Sequence, residues 1–203
     1  MSYVNDSSGN GRHGTLQGGA TFVPGQSGQA VDLDGVDDYI NIDGYKGILA
    51  ENGVQNPFTL AAWIKVTSDG EIITWGLQGG GQRMTFRVDT VLRVEHAAGN
   101  VRGTNGPDLR DDEWHHVAAT ILEGAAMLAV ILYVDGFNVT PQSTTTALFN
   151  LTADFDVRIG MGGPTGGRFL TGAVDDARIY DRVLTPAEVA GLAGLTMPYD
   201  TGF

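Results

Sequence analysis

Apolar and polar residues alternate over short stretches, and glycine-rich turns separate them about every ten residues, a pattern that predicts an all-β protein. Residues 58–66 show the period most cleanly. Phe58, Leu60, Ala62, Ile64 and Val66 fall on one face, with Thr59, Ala61, Trp63 and Lys65 on the other. At 83–88, Met84, Phe86 and Val88 oppose Arg83, Thr85 and Arg87, and at 92–96 Leu92, Val94 and His96 alternate with Arg93 and Glu95. Residues 30–33 and 39–42 read as two strands around a tight turn, Asp34-Gly35-Val36-Asp37-Asp38. The apolar run 127–134 reads as a strand buried on both faces, closed by a hairpin turn at Asp135-Gly136. Residues 157–160 predict a short strand and 172–180 the last one. Thr185, Pro186 and Glu188 then form a capping box that opens a helical turn near residues 186–192.

Length and composition narrow this pattern to a single β-sandwich domain over residues 1–203. A net charge of −12 repels phosphate backbones and acidic membrane surfaces, so nucleic acid is excluded as a partner, while cations and neutral polymers are favoured. No apolar stretch approaches the length of a membrane span. With no cysteine there is neither a disulfide framework nor a thiolate metal site. The start, Met1-Ser2-Tyr3, does not read as a signal peptide, and the chain is expected to be a fragment of a longer protein with an added Met.

Candidate chemistry gathers in three places. The turn at 6–14 offers Asp6 and Asn10 among flexible glycines, an oxygen-rich mix of the kind that wraps a hard cation, although a plain structural turn uses the same residues. Asp175 and Asp176 on the last strand are its expected partners, which would bring both ends of the chain into one sheet. In the 34–38 turn, Asp34, Asp37 and Asp38 either stay solvated or share a cation. On the strands, Arg83, Arg87 and Arg93 line one polar face, which reads as a site for a hydroxylated or anionic glycan or as a solvated surface. Trp63 points away from the main apolar row, either as a platform for a sugar ring or as packing under a second layer.

The adjacent His115 and His116 point to opposite faces of a strand and cannot chelate one ion together. The glycine loop at 162–167 lacks the following Lys-Ser/Thr and the helix of a phosphate cradle. A glycosidase needs two carboxyl groups at a defined separation, yet Glu51, Glu71, Glu95, Glu113, Glu123 and Glu188 are scattered, and Asp154-Phe155-Asp156 lies in a turn region. The chain is therefore not expected to be an enzyme.

Six stretches in order, Asp-x-Ser-Gly-Asn-Gly-x-His-Gly at 6–14, Leu-Asp-Gly-x-Asp-Asp-Tyr-Ile at 33–40, 58–65, Glu-Trp-His-His-Val-Ala at 113–118, Leu-Tyr-Val-Asp-Gly at 132–136 and 172–189, carry a resemblance. The chain resembles the laminin-G-like domains of the concanavalin A-like lectin/glucanase superfamily. The resemblance implies a jelly-roll sandwich of two antiparallel sheets in a module of a secreted or surface bacterial protein, hence an extracellular or cell-surface location. It also implies a structural Ca²⁺ on Asp6 and Asn10 with Asp175 or Asp176, and a second candidate between Asp34 and Asp38. The leading expectation is a non-catalytic, calcium-stabilised module that binds a polysaccharide or other glycan. The alternatives are an adhesion or spacer module that contacts protein or other domains of the parent chain, and, third, a glycoside hydrolase.

Overall fold

The alternating stretches become strands stacked on a shared apolar layer in a computed structural model that describes residues 3–96, 98–141, 145–163 and 167–195. In chain order the first strands are β1 (Tyr3–Val4), β2 (Gly14–Gln17), β3 (Thr21–Pro24), β4 (Gln29–Asp34), β5 (Tyr39–Ile42), β6 (Ala50–Glu51) and β7 (Val54–Gln55). There follow β8 (Phe58–Val66), β9 (Gly70–Gly76), β10 (Arg83–Asp89), β11 (Val91–His96) and β12 (Gly99–Arg102). The last are β13 (His115–Ile121), β14 (Ile131–Val134), β15 (Phe137–Asn138), β16 (Val157–Ile159) and β17 (Thr171–Tyr180), after which comes the helix α1 (Pro186–Leu192).

Two sheets carry the fold. One has eight strands in the order β1-β2-β5-β16-β9-β10-β11-β12 and the other seven, β15-β14-β13-β8-β17-β4-β3, while β6 and β7 form a small ribbon. All their pairings are antiparallel. Between the sheets lies the core predicted from the alternation: Phe58, Leu60, Ala62, Ile64 and Val66 of β8 face Trp75, Met84, Phe86, Val88 and Val94 of the other sheet, all buried. Phe58 and Trp75 meet edge to face at 5.5 Å. Ala61, Ala118 and Tyr133, on the outer side of the seven-stranded sheet, are buried with Leu184 and Val189 of the α1 region. Among the described residues no helix is long and apolar enough to cross a membrane.

Three local expectations change. Strands β4 and β5 do not form a hairpin, because β4 pairs with β3 and β17 and β5 with β2 and β16. The 34–38 turn therefore carries the chain from one sheet to the other. Gly35 at its corner has φ +79°, and a β-carbon there would lie 2.0 Å from Thr171 Oγ1, so only glycine fits. The two ends of the chain likewise lie in different sheets, β1 and β2 in the eight-stranded one and β17 in the seven-stranded one. In the apolar run 127–134, Met127–Ala129 winds as a 3-10 turn and only Ile131–Val134 is strand. Met127 and Leu128 donate their N–H groups to the Ala147 and Thr145 carbonyls, which satisfies this backbone outside a regular ladder. The Asp135-Gly136 hairpin is as expected, both residues having positive φ as a two-residue type I′ turn requires.

Candidate functional site

The outer face of β9, β10, β11 and β12 carries a network of arginines and acids. Register places Arg87 opposite Arg93 and Arg93 opposite Arg102, an arrangement that like-charge repulsion disfavours unless acids intervene. Asp89 sits between Arg93 and Arg102, and Glu95 lies 2.7 Å from Arg93 and 3.6 Å from Arg87. Arg168, from the segment before β17, reaches over and joins the two glutamates, with Nη2 2.7 Å from Glu71 and Nη1 2.5 Å from Glu95. Arg83 stands 3.6 Å from the same Glu71 oxygen.

Burial pushes the Glu71 carboxyl up, against the pull of Arg168 and Arg83. Burial also acts to raise Glu95, but Arg168, Arg93 and Arg87 outweigh it and hold this group below the usual carboxylate range. Glu71 is sealed: its side chain is 0% exposed, and a β-carbon on Gly162 would stand 3.1 Å from its carboxyl carbon. In front of the pair opens a cavity of about 360 Å³ lined by Arg83, Arg93, Glu95 and Arg168 together with Gln78, His96 and Asn100. His96 accepts a hydrogen bond at Nδ1 from the Ala98 N–H and packs edge-on against Phe149 at 5.0 Å.

Arg83, Arg87 and Arg93 are thus brought together as the alternation predicted, but Trp63 is not with them. It lies on the outer face of the seven-stranded sheet, on the far side of the core, half-buried and edge to face with His116 at 5.4 Å. Glu71, Gln78, His96, Asn100, Arg102 and Arg168 were not singled out from the sequence as members of this site. Glu71 shares parity with Ile73 and Trp75, which would point it into the core. A register irregularity beside Phe86 and Arg87 places it opposite Arg87 instead.

The acidic candidates divide between two places. A cleft of about 490 Å³ lies between the 6–12 turn and the second half of β17, lined by Asp6, Ser8, Asn10, Arg12, Asp176, Arg178 and Asp181 above an aliphatic floor of Ile42, Ile73, Val157 and Ile159. The Asp6 carboxylate accepts hydrogen bonds from Ser8 N, Ser8 Oγ and Arg12 N, which lower its pKa to about 2. Asp176 enters the cleft through a bulge in β17, at φ +46°, where it pairs with Arg178 at 2.7 Å. Asp175 turns elsewhere and accepts from Ser27 N at 2.8 Å. The second place is the 34–38 turn, where oxygens of Asp34, Asp37 and Asp38 lie within 4.8 Å of one another. Asp38 is buried there and accepts from the backbone N–H groups of Gly19 and Asp34.

The cleft offers carboxylate, amide and hydroxyl oxygens and the turn three carboxylates, in both cases the oxygen chemistry of a hard divalent cation. The cleft adds Arg12 and Arg178, so part of its negative charge is already balanced.

Comparison with known proteins places these features in a wider setting. The model of the concanavalin A-like lectin/glucanases superfamily matches residues 34–190. No curated protein matches the chain. Among solved structures, domain 4 of AbnA, a GH43 extracellular arabinanase from Geobacillus stearothermophilus, in complex with arabinotriose, is similar in fold. Its TM-score is 0.66 at 19% identity over 89% of this chain and 87% of that one. The binding domain of Paraclostridial Mosquitocidal Protein 1 has a TM-score of 0.63 at 15% identity, over 93% of this chain and 48% of the other. A putative carbohydrate binding protein from Bacteroides ovatus has a TM-score of 0.51 at 22% identity, over 70% and 42%.

Proposed function

Since the chain belongs to the concanavalin A-like lectin/glucanases superfamily, we propose that it is a non-catalytic carbohydrate-binding module that acts outside a bacterial cell or on its surface. One observation carries this reading: the cavity on the outer face of the eight-stranded sheet, where planar amide and guanidinium groups of Gln78, Asn100, Arg83, Arg93 and Arg168 converge. Groups of this kind recognise hydroxyl-bearing rings through paired hydrogen bonds, and strands β10, β11 and β12 hold Arg83, Arg93 and Asn100 more rigidly than loops would. The arabinotriose-bound domain and the putative carbohydrate binding protein, both similar in fold, support the choice of ligand class, and the extracellular arabinanase supports the location.

The non-catalytic reading rests on Glu71. A catalytic carboxyl must touch the bond that breaks. Glu71 is closed off behind Arg168, Arg83 and Gly162, so the two glutamates that the fold brings together serve to hold arginines in place. Calcium enters as a stabiliser, held by Asp6, Asn10 and Asp176 in the cleft or by Asp34, Asp37 and Asp38 in the turn. There it would neutralise carboxylates that otherwise repel one another.

The test is a polysaccharide panel, neutral and acidic polymers including arabinan, scored by affinity electrophoresis and calorimetry with the protein and its Gln78→Ala/Asn100→Ala variant. Saturable binding to at least one polymer, weakened at least about tenfold in the variant, is expected. No binding across the panel overturns the proposal in favour of an adhesion or spacer module, and sugar released from a bound polymer overturns its non-catalytic part.

A further inference from the structure

We propose that the sugar held in the outer-face cavity is acidic, its carboxylate gripped by Arg83, Arg93 and Arg168; this rests on the glycan-binding reading of the same cavity. Five guanidinium groups, those of Arg83, Arg87, Arg93, Arg102 and Arg168, share three carboxylates there, Glu71, Asp89 and Glu95. The face therefore keeps two positive charges in excess on a chain whose net charge is −12. Half of the ten arginines in the sequence stand on this one surface.

Donors are in surplus as well as charge. Beneath the cavity floor the Nε–H groups of Arg87, Arg93 and Arg102, like both carboxylate oxygens of Glu71, are buried without a hydrogen-bond partner among the described residues. Arg83 and Arg87 approach their glutamates only to 3.6 Å, an ion-pair distance that leaves N–H groups uncommitted. The guanidinium ends of Arg83, Arg93 and Arg168 line the cavity, and an arriving carboxylate offsets the excess positive charge there while accepting hydrogen bonds from their uncommitted Nη–H groups. A neutral sugar could fill the same volume and would leave the excess charge as it was.

Gln78 and Asn100 are exposed on the cavity's rim, opposite each other in chemistry to the arginine floor, with amides suited to the hydroxyls of the same ring. Glu95 sets the limit on the charge that can enter. It lies in the cavity wall, so one carboxylate per sugar at the arginines is matched, whereas a densely charged polymer meets repulsion there.

The experiment compares polygalacturonate with its fully methyl-esterified form, which has the same backbone and no carboxylate, alongside a sulfated polysaccharide and neutral arabinan. Polygalacturonate is expected to bind, at least about tenfold more tightly than the ester and more weakly as salt rises to about 0.5 M. The rim variants Gln78→Glu and Asn100→Asp, which leave the arginine network intact, should each lower that affinity several-fold. Lys65→Gln, on the far outer face, should leave it unchanged.

Equal binding of the acid and its ester, or binding of arabinan alone, overturns the acidic-sugar inference and leaves the carbohydrate-binding reading standing. A sulfated polymer bound in preference to every uronate overturns the carboxylate assignment. If nothing on either panel binds, both the inference and the reading beneath it fall.

Discussion

On β13 the two adjacent histidines point to opposite faces, and their surroundings drive protonation in opposite directions. His115 lies between Asp135 at 2.8 Å and Asp111 at 3.3 Å; burial acts to lower its pKa, but the two carboxylates win and raise it. His116 is buried beside Trp63, and desolvation pushes it down to about 4. The raised group contributes stability that is full below about pH 6.5, the unfolded value, and is lost as pH rises through its folded pKa. For His116 the unfolded chain binds the proton first, so stability falls as pH drops from about 6.5 toward 4. Replacing it by Phe keeps a ring edge against Trp63 and removes the titration. The loss of melting temperature between about pH 7 and pH 5 should shrink in His116→Phe by the equivalent of about 1–2 kcal/mol. An undiminished loss would mean that another group sets the acid limb. The opposite orientation of the two rings was readable from strand parity. Their opposite electrostatics were not, because Asp135 comes from the β14–β15 turn and Trp63 from β8.

Elements whose faces are fixed by their own sequence were the legible ones. The strand read at 58–66 is β8 itself, since five apolar residues at period two, four of them large, leave no other register. The capping box is also as read: Thr185 accepts from Glu188 N, and the Glu188 carboxylate accepts from Thr185 N at 2.7 Å. Arg182, 2.7 Å from Glu188, and the Thr185 amide and hydroxyl hold this carboxyl down to about 2. The helix thus anchored lays Val189 over Ala61, Ala118 and Tyr133. Thr185→Ala should cost about 1 kcal/mol, seen as a lower urea midpoint with an unchanged slope. A change in slope would mean instead that the helix is not part of the cooperative unit. Elements whose conformation depends on distant partners were misread. The 30–42 stretch looked like a hairpin because local alternation does not say which sheet a strand joins. The 127–134 run reads as strand throughout because apolar character alone does not separate a strand from a 3-10 turn that buries one side chain, here Met127.

At the scale of the whole molecule, the site residues differ in the same way. Arg83, Arg87 and Arg93 were legible because alternation on β10 and β11 aims them outward. Glu71 was hidden by the irregularity between β9 and β10, and Arg168 by a sequence separation of 73 residues from Glu95. The acidic ends of the chain were expected to meet within one sheet. They meet across the opening of the sandwich, with Asp6 and Asn10 on one wall of the cleft and Asp176 on the other. An ion bound there would cross-link the two sheets, whereas one bound by Asp34, Asp37 and Asp38 would brace only the turn that passes between them. Because a ligand bound only by the folded chain raises its melting temperature, a melt in Ca²⁺ and in chelator measures the linkage. We expect the melting temperature to fall by several degrees in chelator and to recover when Ca²⁺ is restored, about 2–4 °C for each kcal/mol of binding linkage in a domain of this size. Asp176→Asn should abolish that shift if the cleft holds the ion, and Asp38→Asn should abolish it if the turn does. A protein that contains no metal by elemental analysis and melts at the same temperature in Ca²⁺ and chelator would remove calcium from the proposal. In that case Arg12 and Arg178 would be the cations among the described lining residues that balance the cleft's aspartates, and their substitution by Gln should then lower the melting temperature further than either Asp variant does.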